Sequence, residues 1–290
     1  MKVALIADIP YGDTVKITND IISELSSYGT KILVSKKQKK YIDNPELVSF
    51  GSYDNIIDDC NVVIVVGGDG TVTKHASDAA KRKKPILGIN GGHLGFLSGL
   101  EKTEISHLRS LVEGKYIVNK RMALEATIKN KDGKIIYSDL CVNDALIGRC
   151  NSLRMIDVSA ELDGRHLARH RADGIIVSTP TGSTAYSMSA GGPVVDPFIE
   201  CIIFTPVCSH SLTARSIVCS SESTLVLRNT SDYNDPRPMS LVTDSREPVE
   251  IPYDSEVIIK KAATTIDFIT IKKQGFYEIL KEKMIERNEA

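Results

Sequence analysis

Three glycines and one aspartate close the run VVIVVGGDGT, residues 62–71. Gly67, Gly68 and Gly70 allow close backbone approach and positive φ, and a helix is expected near Thr71 with its first N–H groups unpaired. Amides of that kind make an anion cradle, so Gly67, Gly68, Gly70 and Thr71 are candidates to hold phosphates. Neither GxGxxG nor GxxxxGK[ST] occurs in the chain, so the cradle is not one of the common ones. Asp69 sets the problem, because a carboxylate inside such a loop should repel a phosphate. A turn-forming or helix-capping aspartate is the plain alternative. The carboxylate makes chemical sense if it holds Mg²⁺ or takes the proton of an attacking hydroxyl, which marks Asp69 as a catalytic candidate.

Two more polar loops follow. INGGHLGFLSG brings Asn90, Gly91, Gly92 and Gly95 out of the next strand, with Phe96 and Leu97 expected as core anchors. His93 is within reach of a ligand there, but a loop histidine without a visible partner is more often structural. RADGIIVSTPTGSTAYSMSAGGP, residues 171–193, packs Ser178, Thr179, Thr181, Ser183, Thr184, Ser187 and Ser189 around a turn forced by Pro180 and Gly182. With Asp173, Tyr186 and Gly191-Gly192 alongside, this reads as a pocket for a ribose, a base and phosphates. His166 and His170 have metal-ligand spacing for a helix, but their neighbours do not read as one and no third ligand is suitably spaced, so a structural role is expected.

The elements that must hold these loops change character along the chain. Residues 1–118 alternate strands with helices, as in an open α/β domain. Val3–Asp8, Lys31–Ser35, Val62–Val66 and Pro85–Ile89 read as strands. Ile17, Ile21, Ile22 and Leu25 share a helical face ended by Gly29, and 71–81 and 103–113 are also expected to be helical. Residues 119–262 carry short β-branched runs and the hairpin dipeptides Asp132-Gly133 and Asp163-Gly164, which predict an all-β, sandwich-like domain. Residues 263–290 are expected to add a strand, TTIDFITI, and a helix with Phe276, Ile279, Leu280 and Met284 on one face, returning to the first domain.

A net charge of −1 over 290 residues carries no electrostatic footprint for nucleic acid. The basic runs Lys36–Lys40 and Lys81–Lys84 are expected as solvated surface. No apolar run approaches the roughly 20 residues of a membrane-spanning helix. Six scattered cysteines without a CxxC pair fit a reducing cytoplasm.

GGDGT, NGGHLGFL, VNDALIGR and DGIIVSTPTGSTAYSMSAGGP together resemble the NAD kinases, which phosphorylate the adenosine 2′-hydroxyl of NAD; the likeness is strong over 62–249. The resemblance implies Asp69 as general base, ATP or polyphosphate as donor, and a divalent metal, with Mg²⁺ the expected ion. It implies NAD contacts at Asp69, Gly70, Lys74, Asn143, Asp144, Arg154, Arg171 and Asp173, along Thr184, Ala185, Tyr186, Ser187, Met188 and Ser189, and at Arg246. It further implies a homodimer or homotetramer, some arginines reaching across a subunit interface, and a nucleotide in the cleft between the two domains. Asp144 stands where the family has glutamate, which points to a water-mediated ribose contact. Arg246 stands where glutamine is usual, and its charge bears on selectivity between NAD and NADH or on the donor. The rivals are a lipid kinase sharing GGDGT and a non-catalytic NAD(P)-binding sensor. The first is disfavoured by the lack of tryptophan and of a basic amphipathic helix, the second by the intact Asp69 and hydroxyl loop.

Overall fold

The computed structural model describes residues 1–8, 13–92, 95–150, 153–232, 234–235, 237–272 and 275–286, with side chains of the last helix as far as Lys283. The chain forms two compact units, Met1–Lys120 with Ile266–Ala290, and Arg121–Thr265.

The first unit alternates strand and helix: β1 (Lys2–Ala7), α1 (Thr14–Ser27), β2 (Lys31–Ser35), β3 (Val48–Gly51), α2 (Tyr53–Asp59), β4 (Val62–Val66), α3 (Asp69–Lys81), β5 (Ile86–Asn90), β6 (Ser98–Glu101) and α4 (Leu108–Val112). The strands lie parallel in the order β3-β2-β1-β4-β5, with β6 also parallel on β5. A parallel sheet covered on both faces needs strands apolar on both sides, and all five residues of β4 are buried. Ile17, Ile21, Ile22 and Leu25 of α1 are buried against this sheet, and the chain leaves the helix through Gly29 at φ +69°. The helix expected over 103–113 is instead a 3₁₀ segment, Lys102–His107, followed by the short α4. The break falls at Glu104 (φ −115°), whose carboxylate turns back to accept the amide of Glu101.

The second unit contains the hairpin of β7 (Ile117–Lys129) and β8 (Ile135–Cys141), then β9 (Asp144–Arg149), β10 (Ile156–Leu162), β11 (Arg165–Ala172), β12 (Gly174–Ser178), the single turn α5 (Tyr186–Ser189), β13 (Cys201–Val207), β14 (Ile217–Ser220), β15 (Leu225–Asn229), β16 (Met239–Thr243) and β17 (Val249–Ile251). The first three residues and Lys120 of β7 still belong to the first unit. The last strand, β18 (Glu256–Thr270), pairs with β15 at its start, and Phe268 near its end pairs with Ile86 of β5. The helix α6 (Phe276–Glu286) closes the first unit.

One antiparallel sheet runs β14-β13-β12-β9-β16-β17. It shares a core with β10, β15 and the start of β18, in which Phe204, Ile147, Ile175, Val158, Leu227 and Ile259 are fully or almost fully buried. The result is a sandwich. Asp163 (φ +51°) and Gly164 (φ +75°) make the tight turn between β10 and β11.

β8 and β9 are separated at Val142-Asn143, and TTIDFITI, expected as a strand, forms the second half of the 15-residue β18. His166 and His170 lie on a strand, where His170 packs on Phe204 (5.7 Å between centroids) and burial lowers its pKa. In α6 Ile279 is buried while Phe276 and Leu280 are half-buried; the side chain of Met284 lies outside the described residues. Among the described residues no helix is long and apolar enough to cross a membrane.

Candidate functional site

In the first unit the parallel pairing of Val66 with Ile89 brings the ends of β4 and β5 side by side. The two glycine loops therefore emerge together, and the amide of Gly67 donates to the carbonyl of Ile89 (3.0 Å). α3 begins at Asp69, two residues before the expected start, with Gly68 as its N-cap. Asp69 is thus the first helical residue, where the helix dipole favours a carboxylate. One of its oxygens accepts the amide of Phe96 (2.9 Å) and the other that of Leu97 (3.0 Å). Gly95 makes this approach possible, because a Cβ there would stand 2.4 Å from Oδ1 of Asp69. Phe96 and Leu97 are half-buried rather than core anchors, and both offer their backbone N–H to Asp69.

Near the same carboxylate, Asn90 donates to Glu101 (3.2 and 3.3 Å). Burial pushes the Glu101 carboxyl up, the bond from Asn90 opposes this, and the charges of Glu104 and Asp69 push it up further. His93 lies outside the described residues.

On the other side of the start of α3 a cavity of about 460 Å³ opens at the ends of β1 and β2. Asp8, Lys37, Gln38, Gly70, Thr71 and Lys74 are among its lining residues. Thr71 donates its hydroxyl to Asp8 (3.2 Å). The side-chain amide of Gln38 donates to the carbonyl of Ala7 (2.7 Å), while its buried oxygen has no hydrogen-bond partner among the described residues. The run KKQKK is therefore not merely solvated surface: it folds as a 3₁₀ turn that places Lys37 and Gln38 beside the phosphate-loop candidates. Of those candidates only Gly67 has a positive φ (+157°); an added Cβ at Gly68 or Gly70 would meet nothing within 4 Å, so space remains in front of the loop.

In the second unit the β8–β9 turn, the hydroxyl loop and the turn after β16 meet at one end of the six-stranded sheet, where Ser178 pairs with Asp144 and Thr243 with Ala145. Asp244 holds this end together. Its carboxylate accepts the amides of Val142 (2.7 Å), Asn143 (2.7 Å) and Asp144 (3.2 Å). Burial raises its pKa to about 6 against the pull of those three amides and of Arg246. Asp144 lies beside it, 8% exposed, and burial together with the charge of Asp244 raises its pKa to about 7. Thr179 ties the hydroxyl loop to the same turn, donating to the carbonyl of Val142 (2.6 Å) and accepting from the amide of Gly182 (3.0 Å). Gly182 passes so close that a Cβ would stand 2.1 Å from the carbonyl oxygen of Asn143.

The hydroxyl loop divides by exposure. Ser183, Thr184 and Ser187 are buried and bonded within the unit, Ser187 to Thr205 (3.2 Å). Ala185 and Met188 are half-buried, while Tyr186 (46% exposed) and Ser189 face out. Tyr186 is therefore not a core aromatic. Arg171 is exposed on β11, Asp173 pairs with Arg149 (3.3 Å), and Arg154 makes a bidentate pair with Asp235 (2.5 and 2.7 Å). Arg246 pairs with the buried Asp139 (2.9 Å), so its charge has a partner within the unit. The unit thus gathers Asn143, Asp144 and the hydroxyl loop at one end, and Asp69, Gly70 and Lys74 belong to the other unit. Sequence reasoning missed Asp244, Gln38 and Lys283, whose neighbours are distant in the chain.

Comparison with known proteins gives a consistent result. Residues 20–116 match the model of the ATP-NAD kinase N-terminal domain, and 142–271 that of the ATP-NAD kinase C-terminal domain. The chain is 34% identical over 289 residues to an NAD kinase of Symbiobacterium thermophilum, covering 98% of each. It is also 34% identical over 288 residues to an NAD kinase of Caldanaerobacter subterraneus, covering 99% of each. An NAD kinase of Archaeoglobus fulgidus solved with ATP superposes with a TM-score of 0.74 at 25% identity, covering 98% of both chains. The yeast NADH kinase solved with NADH has the same fold, with a TM-score of 0.88 at 24% identity over 98% of this chain and 87% of that one.

Proposed function

This chain belongs to the NAD kinase family, and we propose that it moves a phosphoryl group from ATP, or from polyphosphate, to the adenosine 2′-hydroxyl of NAD with Asp69 as general base. The observation that carries the reading is the Asp69 carboxylate, fixed by the amides of Phe96 and Leu97 one residue before the Gly70-Thr71 amides. Such a carboxylate has lone pairs left for a hydroxyl proton, and the first-turn amides lack intrahelical acceptors. In the step, the ribose O–H bond breaks and its proton passes to Asp69. The ribose oxygen bonds the γ-phosphorus, and the bond from that phosphorus to the bridging oxygen breaks, its electron pair leaving on ADP.

In this reading the donor phosphates lie on Gly67, Gly68, Gly70 and Thr71, with Lys74 as a charge partner. Asn143 and Asp144 bind the adenosine ribose, and Tyr186 covers the nucleotide with its exposed ring. Arg154, Arg171, Asp173 and the exposed parts of 184–189 supply further NAD contacts. Arg246 is assigned chiefly to Asp139. Among the described residues no group of three or more His, Cys, Asp or Glu could cage a metal. Mg²⁺ commonly binds through one or two carboxylates and phosphate oxygens, so the divalent ion would arrive with the donor. The reading includes a homo-oligomer, supported by the exposed Phe198, Ile199 and Val218. It also includes a cytoplasmic setting, supported by six unpaired cysteines.

Asp69→Asn keeps the shape and removes the base. With NAD, ATP and Mg²⁺ it should lower kcat by at least about a hundredfold, with NAD still bound and the circular dichroism unchanged. Near-normal turnover would reduce Asp69 to a turn residue.

A further inference from the structure

The amides of Phe96 and Leu97 orient the Asp69 carboxylate but leave its charge, and the donor it must work beside is a polyanion. A counter-charge comes from the far end of the chain. Lys283, on α6 within the same compact unit, places its ammonium 3.7 Å from Oδ2 of Asp69. The same ammonium lies over the ring of Phe96, 4.6 Å from its centroid, and Phe96 packs in turn on Phe276 at the start of α6 (5.9 Å). Both charged groups are about three-quarters buried, at 25% and 28% side-chain exposure, so solvent screens the pair only partly. A half-buried lysine stem spanning from the last helix to an aromatic ring in the second glycine loop is a costly way to place a surface charge. A second carboxylate, Glu101, stands near enough for the charge of Asp69 to act on it, which increases the negative field that the donor would meet.

We propose that Lys283 is a positioning residue for the transfer: by pairing with Asp69 it offsets the carboxylate's repulsion of an anionic phosphoryl donor while leaving the carboxylate able to accept a proton. The amides of the second glycine loop fix where the carboxylate points, and Lys283 fixes how much of its charge the phosphates feel. Lysine suits this role because its flexible stem lets the ammonium follow the carboxylate as the hydroxyl arrives. The inference rests on the kinase reading with Asp69 as base.

The test compares full-length wild type, Lys283→Met, Lys283→Arg, Asp69→Asn and the double variant Lys283→Met with Asp69→Asn. Affinity for a non-hydrolysable ATP analogue with Mg²⁺ is measured by calorimetry, and KM for ATP and for NAD by NADP formation. Lys283→Met should weaken analogue binding and raise KM for ATP by about tenfold, the scale of one lost, partly screened charge interaction. KM for NAD should stay within about twofold, and Lys283→Arg should recover most of the loss. In the Asp69→Asn background the same Lys283→Met change should cost little, because the repelling charge is gone. Equal losses in both backgrounds would mean that Lys283 does not act through Asp69 and would overturn the inference. So would an unchanged ATP affinity, or an early-melting Lys283→Met with both KM values altered together and no recovery by arginine. Wild type that forms no NADP would overturn the kinase reading and this inference with it; active wild type with an indifferent Lys283→Met would overturn this inference alone.

Discussion

Asp144→Asn should stabilise the protein at pH 8 and change it little near pH 4. Two carboxylates, Asp144 and Asp244, are 8% and 6% exposed at one end of the six-stranded sheet. Asp244 has three backbone donors, while burial and the charge of Asp244 raise Asp144 from 3.8 to about 7. The sign follows from linkage. A carboxyl group with a raised folded pKa is relatively favourable below its unfolded pKa and becomes a penalty as pH climbs through the folded one. The penalty therefore grows between about pH 4 and 7 and is complete by pH 8. Raising a carboxyl from 3.8 to about 7 corresponds to a ceiling of about 4 kcal/mol, and local rearrangement that lets solvent reach the charge brings the expected effect nearer about 2 kcal/mol. For a unit of roughly 150 residues that is about 4–8 °C in Tm. Asparagine keeps the size without the charge, so its melting temperature should exceed that of wild type by this amount at pH 8, and the gap should shrink to a small fraction of it near pH 4. Differential scanning calorimetry from pH 4 to 8 at constant ionic strength measures it. A wild type no less stable at pH 8 than at pH 6, together with an Asp144→Asn variant that gains nothing at pH 8, would refute the assignment of a strained buried charge.

Tyr186→Ala should leave Tm within about 2 °C, since the ring is 46% exposed, while weakening NAD binding about tenfold; Tyr186→Phe should retain most of the affinity, as titration of NAD by calorimetry would show. Arg246→Gln removes the ionic partner of Asp139, a pair at 21% and 8% exposure, and should cost about 2–3 kcal/mol in urea unfolding. A neutral Arg246→Gln would return that arginine to the ligand.

What was legible in the sequence was local. Fully apolar VVIVV announces a strand covered on both faces, and Asp163-Gly164 announces its own turn through the positive φ both residues adopt. The α/β character of the beginning and the sandwich-like character of the middle followed from such patterns. The glycine loops stood out because glycine and aspartate are poor choices for ordinary packing. What stayed hidden depended on partners far along the chain. Nothing near Asp244 predicts that it binds the amides of 142–144, about a hundred residues earlier. Gln38 sits in a basic run whose composition suggests solvent, yet a bond to Ala7 turns it into a cavity wall. Phe96 and Leu97 advertise core packing through apolar side chains, whereas it is their backbone amides that bind Asp69.

The orientation of the Asp69 carboxylate is fixed by sheet register rather than by the loop that bears it. Parallel pairing of Val66 with Ile89 sets Gly67 and Asn90 abreast. From there the chain needs only two residues to reach Asp69, while the following loop comes back to offer Phe96 and Leu97 as donors. One side of the start of α3 thereby binds the carboxylate through amides and a lysine, and the other side leaves Gly70 and Thr71 facing the cavity at the ends of β1 and β2. A slip of β5 by one residue against β4 would move the second loop about 3.3 Å, beyond hydrogen-bonding reach of Asp69. The setting of Asp69 is therefore a joint property of GGDGT and of the backbone at Phe96 and Leu97, and neither stretch alone fixes the carboxylate.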